Sequence, residues 1–187
     1  MVLETVFSMD ASRTKFGKGA TREVGSDMKD LGARRFMVVP GLASSRIHIL
    51  DAANPRAVNA FGHIIEINED GGDFTAPKAT WDILLKCGDP PVAEVGATFS
   101  PAPTAHGWFG MPDNCAVDSA GRLWVATDGN SPKATGRTDG LWAVDTEGEA
   151  RATSKLFFRV PVGAELCGPL FTADDQTAFL ALAGGRA

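Results

Sequence analysis

Residues Asn114–Thr127, NCAVDSAGRLWVAT, decide how the chain is read. Asn114–Val117 is a short strand. Asp118-Ser119-Ala120-Gly121 has the acidic, small and glycine composition of a tight turn. Arg122–Thr127 then runs apolar and β-branched, as a buried strand does. The pattern continues on both sides. Downstream lie Gly140–Val144 (GLWAV), a turn through Asp145–Gly148, Ser154–Val162 (SKLFFRVPV), Gly168–Thr172 and Ala178–Leu182. Upstream, His63–Ile67 ends in the turn NEDGG at 68–72, and Thr80–Cys87 follows. Short strands with Asp/Gly turns fit a sandwich, a barrel or a propeller.

A repeat chooses between them. Val117–Val125 lines up with Thr172–Leu180, each a strand, an acidic turn and an apolar strand, about 55 residues apart. A four-stranded propeller blade usually takes roughly 40–50 residues. The four strands from 114 to 162 make one blade, and the flanking pairs make halves of its neighbours. The expected fold is mainly β, an incomplete propeller of about two blades over residues 51–187.

The first 45 residues read differently. Glu4–Phe16 suits a strand or hairpin. Thr21–Leu31 places Val24, Met28 and Leu31 on one helical stripe, with Gly32 as the C-cap. Arg35–Val39 is a compact apolar strand stopped by Pro40 and Gly41. Residues 1–45 are therefore expected as a partial Rossmann-like strand–helix–strand segment. Charge changes at the same place: residues 1–48 carry a net +3 and the remainder −8.

With 18 Lys/Arg against 23 Asp/Glu the chain is acidic overall, which argues against nucleic acid as a partner. No apolar run approaches the ~18 residues of a membrane span. The N-terminus carries Glu4 where a signal peptide has basic residues, so the expected location is cytoplasmic. Cys87, Cys115 and Cys167 are odd in number and form no CxxC, as expected of free thiols.

The chemistry concentrates in Gly107–Gly129, GWFGMPDNCAVDSAGRLWVATDG. Asp113 and Asn114 stand at a strand entrance after Pro112, and Asp128 stands at the exit of the next strand. Strand ends in a propeller face a central shaft, where oxygen ligands suit a hard cation such as Ca2+. The alternative is that Asp, Asn and Gly here only make turns. Asp118 and Gly121 are turn residues on either reading.

Two resemblances emerge. Phe7–Val39, with FGKGATREVG in order, resembles the N-terminus of iron-dependent alcohol dehydrogenases of the hydroxyacid–oxoacid transhydrogenase branch. The glycine-rich cofactor loop and the iron-bearing helical domain of that family do not follow. Asp51–Leu182 resembles the PhoX-type alkaline phosphatases, through DAANPRAVNAFGHIIEI, WDILLKCGDP, GMPDNCAVDSAGRLWVATDG, TGRTDGLWAVDTEG and AELCGPLFTADDQTAFLAL. That second resemblance implies a β-propeller whose central calcium and iron ions bind a phosphate ester.

Carried over by motif, it implies Asp113, Asn114 and Asp128 as metal-site residues, with Glu165, ahead of the CGP motif, as a further one. Arg56, in the NPR motif, is a candidate phosphate contact; a loop-fixing role is its alternative. The family's cysteine ligand for Fe3+ has no counterpart here, so the iron site is incomplete. The family is usually exported to the periplasm. The expectation is a part of a PhoX-like phosphomonoesterase, inactive or weakly active alone. One alternative is a calcium-binding or scaffold module that self-associates through open sheet edges. A second is a remnant of an iron-dependent alcohol dehydrogenase.

Overall fold

The computed structural model describes residues 36–38, 52–72, 78–100 and 103–184. The chain divides into two units, Met1–Arg35 with Asn68–Thr80, and Phe36–Ile67 with Trp81–Ala187. Of the first unit, residues 68–72 and 78–80 fall among the described residues. There Asp70 N–H donates to Lys78 O at 3.3 Å, and Gly71 and Gly72 take φ of +68° and +69°. The helix expected over Thr21–Leu31 lies outside the described residues.

The second unit is built from antiparallel sheets. Strands β1 (Phe36–Val38), β2 (His63–Glu69) and β3 (Ala79–Lys86) form one, in that order. β1 pairs antiparallel with β2, Met37 opposite Glu66. The apolar strand of the first 45 residues thus joins a sheet with a strand from beyond the charge step. Strands β4 (Pro112–Val117), β5 (Leu123–Thr127), β6 (Gly140–Val144) and β7 (Ser154–Arg159) form a four-stranded meander. β8 (Glu165–Phe171) and β9 (Ala178–Ala183) form a two-stranded sheet. Helix is confined to three-residue 3-10 turns among the described residues, no sheet closes into a barrel, and no helix is long and apolar enough to cross a membrane.

The central strands β5 and β6 are buried on both faces, which is why they do not alternate in sequence. Side chains on a strand point to opposite faces in turn. Leu123 and Val125 of β5, with Trp142 and Val144 of β6, pack against Ile64, Leu84, Leu85 and Phe109. Trp124 and Ala126 of β5, with Leu141 of β6, pack on the other side against Val160, Ala164 and Leu166. All five residues of β5 are buried. The β4–β7 sheet therefore sits between the β1–β3 and β8–β9 sheets.

The 55-residue repeat is visible in the backbone. β4 is bulged between Pro112 and Cys115, and β8 between Cys167 and Leu170, the same step along the chain. A bulge inserts one extra residue on one strand and bends it. The hairpin turns also correspond. Asp118 accepts from the backbone N–H groups of Ala120 (3.0 Å) and Arg122 (2.9 Å), from Arg122 Nε (2.7 Å) and from Trp124 Nε1 (2.9 Å). Gly121 closes that turn at φ +81°. In the second hairpin Asp174 accepts from Gln176 N–H at 3.1 Å and from the Thr172 hydroxyl. The two turns are latched together, since Ser119 donates its N–H (2.9 Å) and its hydroxyl to Asp175.

Candidate metal centre

The pairings Pro112–Thr127 and Gly140–Arg159 put four strand ends at one edge of the meander. Asp113 follows the first residue of β4, Asp128 follows the last residue of β5, and Glu165 opens β8. One carboxylate oxygen of each lies within 4.8 Å of the others. Asp113 and Glu165 are half-buried, and Asp128 is exposed. The β4 bulge falls on Asp113-Asn114, the point at which the strand turns its acid toward this edge.

Backbone strain fixes the approach. Met111 holds φ +52°, a left-handed conformation that a non-glycine residue adopts at a cost of order 1–3 kcal/mol. It is held by Met111 N–H to Phe61 O at 2.8 Å and by Asp128 N–H to Met111 O at 3.1 Å. Asp139, in the buried foot of the loop after Asp128, organises the rest. It accepts from Thr127 Oγ1 (2.8 Å), Gly129 N–H (3.1 Å), Asn130 N–H (2.9 Å) and Asn130 Nδ2 (3.0 Å). Asn130 Nδ2 also donates to Gly110 O at 2.9 Å. A cavity of about 360 Å³ opens here, lined in part by Asp128, Asn130, Asp139 and Glu165.

Among the described residues no arginine or lysine forms an ion pair with the three acids; the ion pairs there join Arg122 to Asp118 and Arg151 to Glu66 and Asp82. Partial burial, then repulsion from Glu165 and Asp139, pushes the Asp113 carboxyl above the ordinary range. Asp128 is raised by burial and by Glu165, Asp139 and Asp113. Cys167 Sγ donates to Glu165 Oε1 at 2.9 Å, and that bond holds the thiol up at about 11. A hard divalent cation is the species that close carboxylates with raised pKa values accommodate. The donor set is all oxygen, so it fits calcium and supplies no thiolate for iron.

The other expected residues, Asn114 and Arg56, make hydrogen bonds of their own. Asn114 uses its amide oxygen to accept from Gly168 N–H at 3.1 Å, tying one bulge to the other. Arg56 is held as a clamp between loops. Its guanidinium donates to Cys87 O (2.7 Å), Val95 O (3.0 Å), Gly62 O and Asn59 Oδ1. Asp139 was not singled out in the sequence, although the signal was there. The triplet TDG occurs at 127–129 and again at 138–140. The first aspartate faces the centre and the second supports it.

Antiparallel sheets with acids gathered at one set of strand ends define a mainly β protein with an acidic rim. The family model "Alkaline phosphatase PhoX" matches residues 11–184, and the chain belongs to that family. Among solved structures it is similar to Pseudomonas fluorescens PhoX in complex with vanadate, a transition state analogue. The identity is 26% and the TM-score 0.66, over 79% of this chain and 26% of that one. The chain thus spans about a quarter of the length of that structure. No curated protein matches the chain. The PhoX match begins inside the stretch that resembled an alcohol dehydrogenase, and that resemblance gains no support.

Proposed function

We propose that this chain supplies part of a metal-dependent phosphomonoesterase centre, in which Asp113, Asp128 and Glu165 hold a hard divalent cation, calcium the best fitting. The convergence of these three acids in a member of the PhoX family carries the reading. In propeller terms β4–β7 is one blade, and β1–β3 and β8–β9 belong to its two neighbours, so the chain holds about two blades.

The bound cation would neutralise the non-bridging oxygens of a phosphate ester and lower the pKa of an attacking water. The chain's own work is positional. The β4 bulge aims Asp113, the Asp139 network holds the loop bearing Asp128, and the Asn114–Gly168 bond fixes β8 so that Glu165 stays in reach. Arg56 is occupied elsewhere, so the phosphate must be gripped by residues outside this set. The chain alone is therefore expected to hydrolyse a phosphomonoester weakly or not at all. That same occupation of Arg56 favours, as a second reading, a module that binds calcium without catalysis.

Calorimetry with Ca2+ tests the site. The wild-type chain should give saturable heat, and Asp113→Ala should weaken binding by about tenfold or more, since affinity follows ligand charge. Absence of heat from the wild type ends the proposal. Calcium-dependent hydrolysis of p-nitrophenyl phosphate, even slow, would exclude the second reading.

A further inference from the structure

The second cavity of the meander edge has different chemistry. It measures about 630 Å³, within the ~300–1,000 Å³ of small-molecule sites. Pro90, Pro91, Pro103 and Trp108 make it apolar, and Asp89, Thr104 and Arg137 are its polar groups. Arg137 lies flat over Trp108, its guanidinium carbon 3.5 Å from the ring centroid. Arg137 Nη1 donates to Trp108 O at 2.9 Å and Nη2 to Ala105 O at 3.1 Å. Those two bonds use two of the five guanidinium N–H donors and lock its plane in the cavity wall.

A guanidinium held in this way presents a flat cationic face to stack a ring and free N–H groups to pair with an anion. The local charge favours an anion too. Arg159 acts on Arg137 from nearby, with Asp89 as the opposing acid. Arg159 reaches His106 Nδ1 at 3.5 Å through Nη2, and its buried Nε has no partner among the described residues. Arg137 thus feels one further cation, Arg159, and one acid, Asp89.

We infer that this cavity binds a small planar aromatic anion, its ring stacked on Arg137 among the prolines and its acid group paired with the guanidinium edge. The inference does not depend on the metal centre. Two sources share this chemistry: a free aromatic acid, and the aryl group of a phosphomonoester.

Fluorescence and calorimetric titrations with 2-naphthoate and with phenyl phosphate, each with and without Ca2+, test it. Wild type should bind 2-naphthoate saturably below millimolar concentration. Arg137→Lys keeps the charge but loses the flat fork and should weaken binding about tenfold or more. Thr104→Phe, at an exposed lining position, should block the cavity without touching the Arg137 clamp. Asp113→Asn should leave 2-naphthoate binding unchanged, which keeps this site separable from the calcium site. Phenyl phosphate that tightens with Ca2+ identifies the aryl group as part of a substrate; 2-naphthoate binding without such tightening identifies a free acid. No saturation by either ligand, or equal affinity in wild type and Thr104→Phe, overturns the inference.

Discussion

Asp113 and Asp128 stabilise nothing as bare carboxylates; they are stabilised by being protonated or neutralised. A carboxyl whose folded pKa lies above its unfolded value, near 3.9, makes its contribution to stability below that value and loses it as pH rises through the folded pKa. Without calcium, Asp113→Asn should therefore raise the melting temperature at pH 7.5 and have little effect at pH 3.5. With calcium the order at pH 7.5 should reverse, because only the wild type gains binding energy. Melts at the two pH values, with calcium and with a chelator, check this. A variant equally or less stable than wild type in chelator at pH 7.5 would contradict the repulsion. At this scale the sequence was legible in part. The PDN and TDG motifs pointed to Asp113 and Asp128, but nothing local showed that Asn114, one residue on, faces Gly168.

The unit that repeats is the hairpin with its acidic turn. In the first copy Asp118 satisfies two backbone N–H groups and two side chains, including the indole of Trp124. Those bonds hold its carboxyl below the ordinary range despite the opposing effect of burial. This stability is present above the unfolded pKa and is lost as pH falls through the folded value. Asp118→Ala should cost about 2–4 kcal/mol, since it strands a buried indole N–H and breaks charge-assisted bonds. Urea denaturation at pH 7 checks it. The loss should shrink toward pH 2, and a change below about 0.5 kcal/mol would show the turn to be self-sufficient. The strands β4 to β9 were readable from apolar runs between Asp/Gly turns, and β6 has the expected bounds, Gly140–Val144. The bulges were not readable, because an extra residue in a strand leaves its composition unchanged.

For the molecule, the question is what holds the loops at the end of the β1–β3 sheet together. Arg56 bridges the carbonyls of Gly62, Cys87 and Val95, so one side chain ties the loop before β2 to the end of β3 and the segment beyond it. Arg56→Ala should destabilise by about 3 kcal/mol by leaving those carbonyls without their donor, and Arg56→Lys should recover little because an ammonium lacks the planar fork. Thermal melts check this. Calcium affinity, measured where the protein is still folded, should not change, and a lost calcium site in folded Arg56→Lys would return Arg56 to the functional residues. By its runs of apolar residues, acidic turns and one 55-residue echo, the chain alone determined a mainly β protein and pointed to Asp113 and Asp128, and the family resemblance added Glu165. Local spacing carries that information, because strand and turn propensities act over a few neighbours. Tertiary structure decided that residues 113, 128 and 165 meet, that Arg56 is a clamp and that Asp139 is a support. These depend on register and on the stacking of sheets, set by which apolar faces find one another across dozens of residues.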